Sequence, residues 1–97
     1  MPFDQFHPRS FRATAVREHA PARSGVYGIT NAQEWIYIGE ADNIQQMLLY
    51  HMQESSSDIL ERHPTGFVFE LCDPATRVGR QNRLILEYNP AFHPQRQ

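Results

Sequence analysis

Two tyrosine triplets carry most of the chemical promise of this sequence: Gly25-Val26-Tyr27 and Tyr37-Ile38-Gly39. A phenol can donate or accept a hydrogen bond, and on neighbouring strands the two tyrosines also read as amphipathic core-edge residues with satisfied hydroxyls. His51 lies fourteen positions after Tyr37. A second grouping is cationic. Arg77, Arg80 and Arg83 recur every third residue and could meet phosphates, or form a solvated helix face partly paired with Glu87. Other constellations are missing. The five histidines show neither H-x-x-x-H nor H-E-x-x-H spacing, and Cys72 is the only cysteine, which leaves no thiolate metal site and no intrachain disulfide. Cys72 reads as a small apolar strand residue.

The elements that must position these groups follow from local pattern. GVYGIT and WIYIG are β-branched and aromatic and flank the turn residues NAQE, which predicts a hairpin with strands near Val26–Thr30 and Glu34–Ile38. Alternation puts Tyr27 and Ile29 on one face, and Tyr37 joins them if the register allows. Asp42 and Asn43 are good capping residues. Beyond them Ile44, Met47, Leu48 and His51 share one face of a helix from about Asn43 to Gln53. Ser57 is a further cap before a short helical turn that Pro64 and Gly66 end. A third strand is expected over Phe67–Cys72. The last helix is expected to begin with Asp73 as N-cap and Pro74 in its first position and to stop at Asn89-Pro90, with Val78, Gln81, Ile85 and Tyr88 facing the sheet. Residues 1–23 read as an irregular arm with one short helix around Ser10–Glu18, tied to the body by Phe3, Phe6, Phe11 and Val16, and residues 24–97 as the domain proper.

At 97 residues the chain suits one small domain, and its 40% hydrophobic and 21% charged content suits a globular one. No apolar run reaches the roughly 18–20 residues of a membrane span, and the first residues lack a signal-peptide pattern, so the expected location is the cytoplasm and no membrane partner is expected. All nine basic residues are arginine, and the formal charge is −2, with a pI near 6.2. A protein held to nucleic acid mainly through phosphates would carry a basic excess, so any such contact here must be local and weak.

The triplets, the hairpin-length spacer, the capped helix that follows Gly39, and Leu84-Ile85 ahead of Pro90 resemble the GIY-YIG nuclease superfamily over about Ser24–His93. The resemblance implies an α/β (α+β) fold, with a three-stranded antiparallel sheet flanked by helices. In active members it implies a tyrosine that helps deprotonate water, an arginine on the first helix that neutralises phosphate, and a glutamate on the last helix that holds a divalent metal. The implied arginine position, ten residues after Tyr37, is Met47. The implied glutamate position, nine before Pro90, is Gln81, whose amide could bond Tyr27 or Tyr37. An asparagine three residues after that proline is replaced by His93, and Glu40 stands where the family is often basic.

With both charged positions neutral, the resemblance implies a catalytically impaired domain. Tyr27, Tyr37 and His51 would be a remnant site with Gly39, Met47 and Gln81 at family positions, no metal and no cofactor. The remaining role would be binding DNA weakly through Arg77, Arg80 and Arg83, or binding another protein. The alternative is a divergent endonuclease using magnesium or manganese through relocated ligands, for which Glu40 and Asp42 are the nearest carboxylate pair.

Overall fold

A computed structural model describes Phe3, residues 8–53 and residues 58–92. Phe6, Ser57 and His93, to which the sequence assigns a packing, a capping and a family position, lie outside the described residues. In chain order the elements are β1 (Arg9–Ser10), α1 (Ala13–His19), β2 (Gly25–Thr30), β3 (Trp35–Ala41), α2 (Ile44–Gln53), α3 (Asp58–Glu61), β4 (Gly66–Leu71) and α4 (Arg77–Tyr88). The strands form one antiparallel sheet in the order β1-β4-β2-β3. Four strands replace the expected three. Arg9 and Ser10 pair with Phe67 and Gly66, a two-residue contact between distant parts of the chain that no local pattern announces.

The sheet divides two apolar layers. Tyr27, Ile29, Ile36 and Phe67 face α1, α2 and α3, where they meet Val16, Ile44, Leu48 and Ile59. On the other face Val26, Ile38 and Val68 pack against Phe3 and Leu84, with Trp35, Ile85 and Tyr88 closing over them. Strand β2, central and covered on both faces, is buried at every position, which accounts for its nearly continuous apolar composition. Phe3 stacks on Trp35 at 5.6 Å between ring centroids and on Tyr88 at 5.9 Å.

The hairpin carries one irregularity that matters for the site. Ile29 pairs with Tyr37 and Thr30 with Trp35, leaving Ile36 as the extra residue of a β-bulge. Strict alternation would put Trp35 and Tyr37 on the same face; the bulge sends Trp35 to the α4 layer and Tyr37 to the α2 layer. The pairing also runs on to Gly25↔Ala41, so β3 is longer than its β-prone residues suggest.

Helix α2 begins as expected: the Asn43 side-chain oxygen accepts a hydrogen bond from the Gln46 backbone N–H at 2.9 Å. Helix α4 begins later than expected. The backbone N–H groups of Thr76 and Arg77 both donate to the Asp73 carbonyl, a separate turn that absorbs Pro74 before the helix proper starts at Arg77. The expected buried face is also shifted. Gln81 and Leu84 are buried, whereas Val78 is 52% exposed, because it lies at the rim of the face and in the first turn. Asn89 ends the helix in the left-handed conformation, and its N–H donates to the Ile85 carbonyl at 2.8 Å. The chain then returns to β3, where the Ala91 and Phe92 N–H groups donate to the Trp35 and Ile36 carbonyls.

Candidate functional site

The register that pairs Tyr27 with Gly39 and Ile29 with Tyr37 sets both tyrosines on the face that α2 covers. There His51, in the last turn of α2, reaches them. The Tyr27 hydroxyl and His51 Nε2 are 2.8 Å apart. The Tyr37 ring lies 6.1 Å from the Tyr27 ring and 5.2 Å from the imidazole, between centroids. The three candidate catalytic residues of the sequence reading therefore form one cluster. Gly39 makes room for it: a Cβ there would stand 2.8 Å from the Tyr27 hydroxyl and 2.9 Å from both the Tyr27 ring and the Tyr37 ring. Gly25, across the sheet end, is equally constrained, since a Cβ would lie 2.2 Å from the Glu70 carbonyl oxygen. The glycines of the two triplets thus permit close approach rather than unusual dihedral angles.

Burial sets the electrostatics of the cluster. Tyr27 is 1% exposed. Its desolvation, with the neighbouring Tyr37 and Glu40 adding to the effect, pushes its hydroxyl well above the usual phenol range. Tyr37 is also pushed up, first by desolvation and further by Glu40, against the opposing effect of its hydrogen bond to Tyr27. Burial lowers His51 to about 4. At neutral pH the cluster is therefore two protonated phenols and an uncharged imidazole. The Tyr27–His51 hydrogen bond can be written with either partner donating, according to the tautomer.

The other family positions lie apart. Met47 packs against the tyrosine layer beside Leu48 and His51. Gln81 is buried on α4, which packs through Leu84, Ile85 and Tyr88 on the opposite face of the sheet, and its amide meets the Asn82 side chain at 3.5 Å. Strand alternation directs Glu40 to that same α4 face, where its carboxylate accepts a hydrogen bond from Arg77 Nε. The Arg77 Nη2 group lies 2.6 Å from the Asp42 carboxylate, and Nη1 donates to Ser24 Oγ at 3.0 Å. These partners, Glu40 above all, hold the guanidinium proton more firmly than usual.

Arg80 donates from Nε to Glu70 at 2.7 Å and from Nη2 at 2.9 Å, a two-pronged pair. Of the three arginines proposed to meet phosphates, then, Arg77 and Arg80 hold carboxylates of β3, β4 and the loop before α2, and Arg83 is exposed. Their carboxylate partners are long-range and left no trace in the local spacing.

A magnesium ion seeks several anionic or strongly polar oxygens in near-octahedral array. The cluster offers protonated phenols and a neutral ring, Gln81 is an amide, and Glu40 is ion-paired with Arg77. Among the described residues no group of three or more His, Cys, Asp or Glu side chains is placed to hold a metal ion. Among the described residues, the tyrosine cluster itself therefore supplies no anionic oxygen for a divalent cation.

No protein-family model matches the chain. Forty of its residues, 41% of its length, are 48% identical to part of the UvrABC system protein C of Hydrogenobaculum sp. (strain Y04AAS1), and the match spans 7% of that protein. The chain is also similar to crystal structures of the GIY-YIG N-terminal endonuclease domain of UvrC from Thermotoga maritima. A point mutant bound to its catalytic divalent cation matches with a TM-score of 0.69 at 20% identity, covering 82% of this chain and 96% of that one. The magnesium-bound domain matches with a TM-score of 0.67 at 21% identity, covering 78% and 92%. The chain has the GIY-YIG endonuclease-domain fold.

Proposed function

We propose that this chain is a GIY-YIG-type domain that does not cleave nucleic acid and acts by binding, with DNA held weakly at most through local arginine contacts. One observation carries the reading: the side chains gathered at the tyrosine cluster are all uncharged at neutral pH, while Glu40, the carboxylate that acts on both phenols, is paired with Arg77. In-line attack on a phosphodiester builds negative charge on the phosphoryl oxygens and the leaving oxygen, and preorganised cations must meet it. Met47 supplies none, and Arg77 is already engaged on three sides. The cluster instead serves as packing, with the Tyr27 hydroxyl and His51 Nε2 satisfying each other inside the core.

The Tyr27–His51 hydrogen bond favours a second reading, in which a neutral imidazole takes the phenol proton and a divergent nuclease survives. Calorimetric titration with magnesium and manganese, together with a nicking assay on supercoiled plasmid, separates the two. We expect no site-specific heat and no nicking. Nicking that Tyr27→Phe abolishes would overturn the non-cleaving reading.

A further inference from the structure

The open edge of β3 and the start of α2 frame a groove of about 280 Å³ lined by Glu40, Asp42, Asn43, Gln46, Met47 and Arg77. It adjoins the tyrosine cluster: Met47 packs into that layer, and Glu40 is close enough to raise both phenols. The resemblance to GIY-YIG nucleases implies basic groups at the positions of Glu40 and Met47, and here those positions supply an anion and a thioether.

Arg77, projecting from the first turn of α4, is the one cation lining the groove, and it is not free. All three guanidinium nitrogens have partners: Glu40 on Nε, Ser24 on Nη1 and Asp42 on Nη2. Its side chain is only 16% exposed, whereas Asp42 is 87% exposed and stands on the solvent side of the pair. One arginine between two carboxylates leaves the cluster with a net charge of about −1, so an approaching phosphate meets repulsion and finds the guanidinium already occupied.

We propose that Glu40, Arg77 and Asp42 form a built-in clamp that keeps phosphate out of this groove, and that releasing Arg77 from its two carboxylates converts the groove into a phosphate-binding site. This rests on the reading that the domain does not cleave nucleic acid. The test is therefore a binding measurement in EDTA, which nicking activity, if it existed, would leave interpretable.

The experiment is fluorescence anisotropy with a short labelled DNA duplex across a salt series. It compares wild type, Glu40→Gln/Asp42→Asn, the same pair with Arg77→Gln added, and a charge-matched control, Glu18→Gln/Asp58→Asn, altered at two exposed positions away from the groove. The clamp variant is expected to bind about tenfold more tightly than the control. Its slope of log K against log salt should be steeper by about one unit, and adding Arg77→Gln should cancel the gain. Equal binding by the two charge-matched variants overturns the proposal, and so does a gain that survives loss of Arg77. Should circular dichroism show that Glu40→Gln/Asp42→Asn unfolds, Asp42→Asn alone tests the same point, because that residue is exposed. It should give a smaller gain that Arg77→Gln erases, and no gain overturns the clamp.

Discussion

His51 gives the fold a measurable dependence on pH. In the unfolded chain its imidazole titrates at the ordinary 6.5, whereas burial in the folded domain lowers it to about 4. Between those values the unfolded state binds a proton that the folded state refuses, so acid favours unfolding. The folded-state penalty is absent above 6.5, grows as the pH falls through the window, and levels off below about 4, where both states are protonated. A separation of about 2.5 units at roughly 1.4 kcal/mol per unit gives a loss of about 3 kcal/mol across the window. That is a large part of the 5–15 kcal/mol typical of a domain.

The assay is urea denaturation at a series of pH values for wild type and for His51→Gln, which keeps a hydrogen-bonding side chain and removes the titration. Carboxylates contribute to both curves, so the difference between them isolates His51. It should slope by up to one proton, about 1.4 kcal/mol per pH unit, between 6.5 and 4. Parallel curves would refute the reasoning, as would an NMR titration of the folded protein in which the His51 ring protonates near 6.5.

Gly39→Ala should destabilise by about 1–3 kcal/mol in chemical denaturation, because the Tyr27 hydroxyl and ring lie inside its contact distance and cannot retreat from the core; unchanged stability would show that the pocket yields. The opposite sign is expected for Gly79→Ala, which meets nothing within 4 Å and sits in α4, with a gain of roughly 0.5–1 kcal/mol. Tyr27→Phe keeps the ring and strands His51 Nε2 without the hydroxyl, and should cost about 1 kcal/mol by the same assay. Arg80→Gln breaks a half-buried two-pronged pair with Glu70 and should cost about 1–3 kcal/mol, whereas Arg83→Gln on the exposed side should stay within about 0.5 kcal/mol. Equal effects at 80 and 83 would mean that the Glu70 pair contributes nothing.

What could be read in the sequence is what short-range pattern encodes. The hairpin, the Asn43 cap, the α2 face with His51 and the β4 strand each follow from residues within a turn or two of one another. The union of Tyr27, Tyr37 and His51 needs only the hairpin register and one helix beyond it. The rest depends on long-range pairing or on a single-residue irregularity. Arg9 and Ser10 form a strand only because β4 lies beside them. The Ile36 bulge moves Trp35 across the sheet, and no residue type announces it. Arg77, Arg80 and Arg83 have the spacing of a solvated helix face, yet the first two are claimed by Glu40, Asp42 and Glu70 from other elements. Gln81 has the periodicity of a sheet-facing residue, which is correct. That α4 packs on the layer opposite the tyrosines depends on which side of the sheet it takes, and helical period is silent on that.

The two triplets stay readable because their residues hold one another in place whether or not they perform chemistry. Gly39 has no side chain because the Tyr27 ring occupies that space, and Tyr27 is fixed in turn by His51 and by the Tyr37 ring. Exchanging any one of them opens a void, creates an overlap or strands a buried polar atom, each costing on the order of 1 kcal/mol or more. The positions of the implied charged residues carry no such mutual constraint. Met47 fills its place as a flexible apolar chain at the edge of the layer, and Gln81 fills its own as an amide close in shape to glutamate. The tyrosine motif alone is therefore evidence of the fold rather than of cleavage. Arg77 is stabilised by the two carboxylates within its reach.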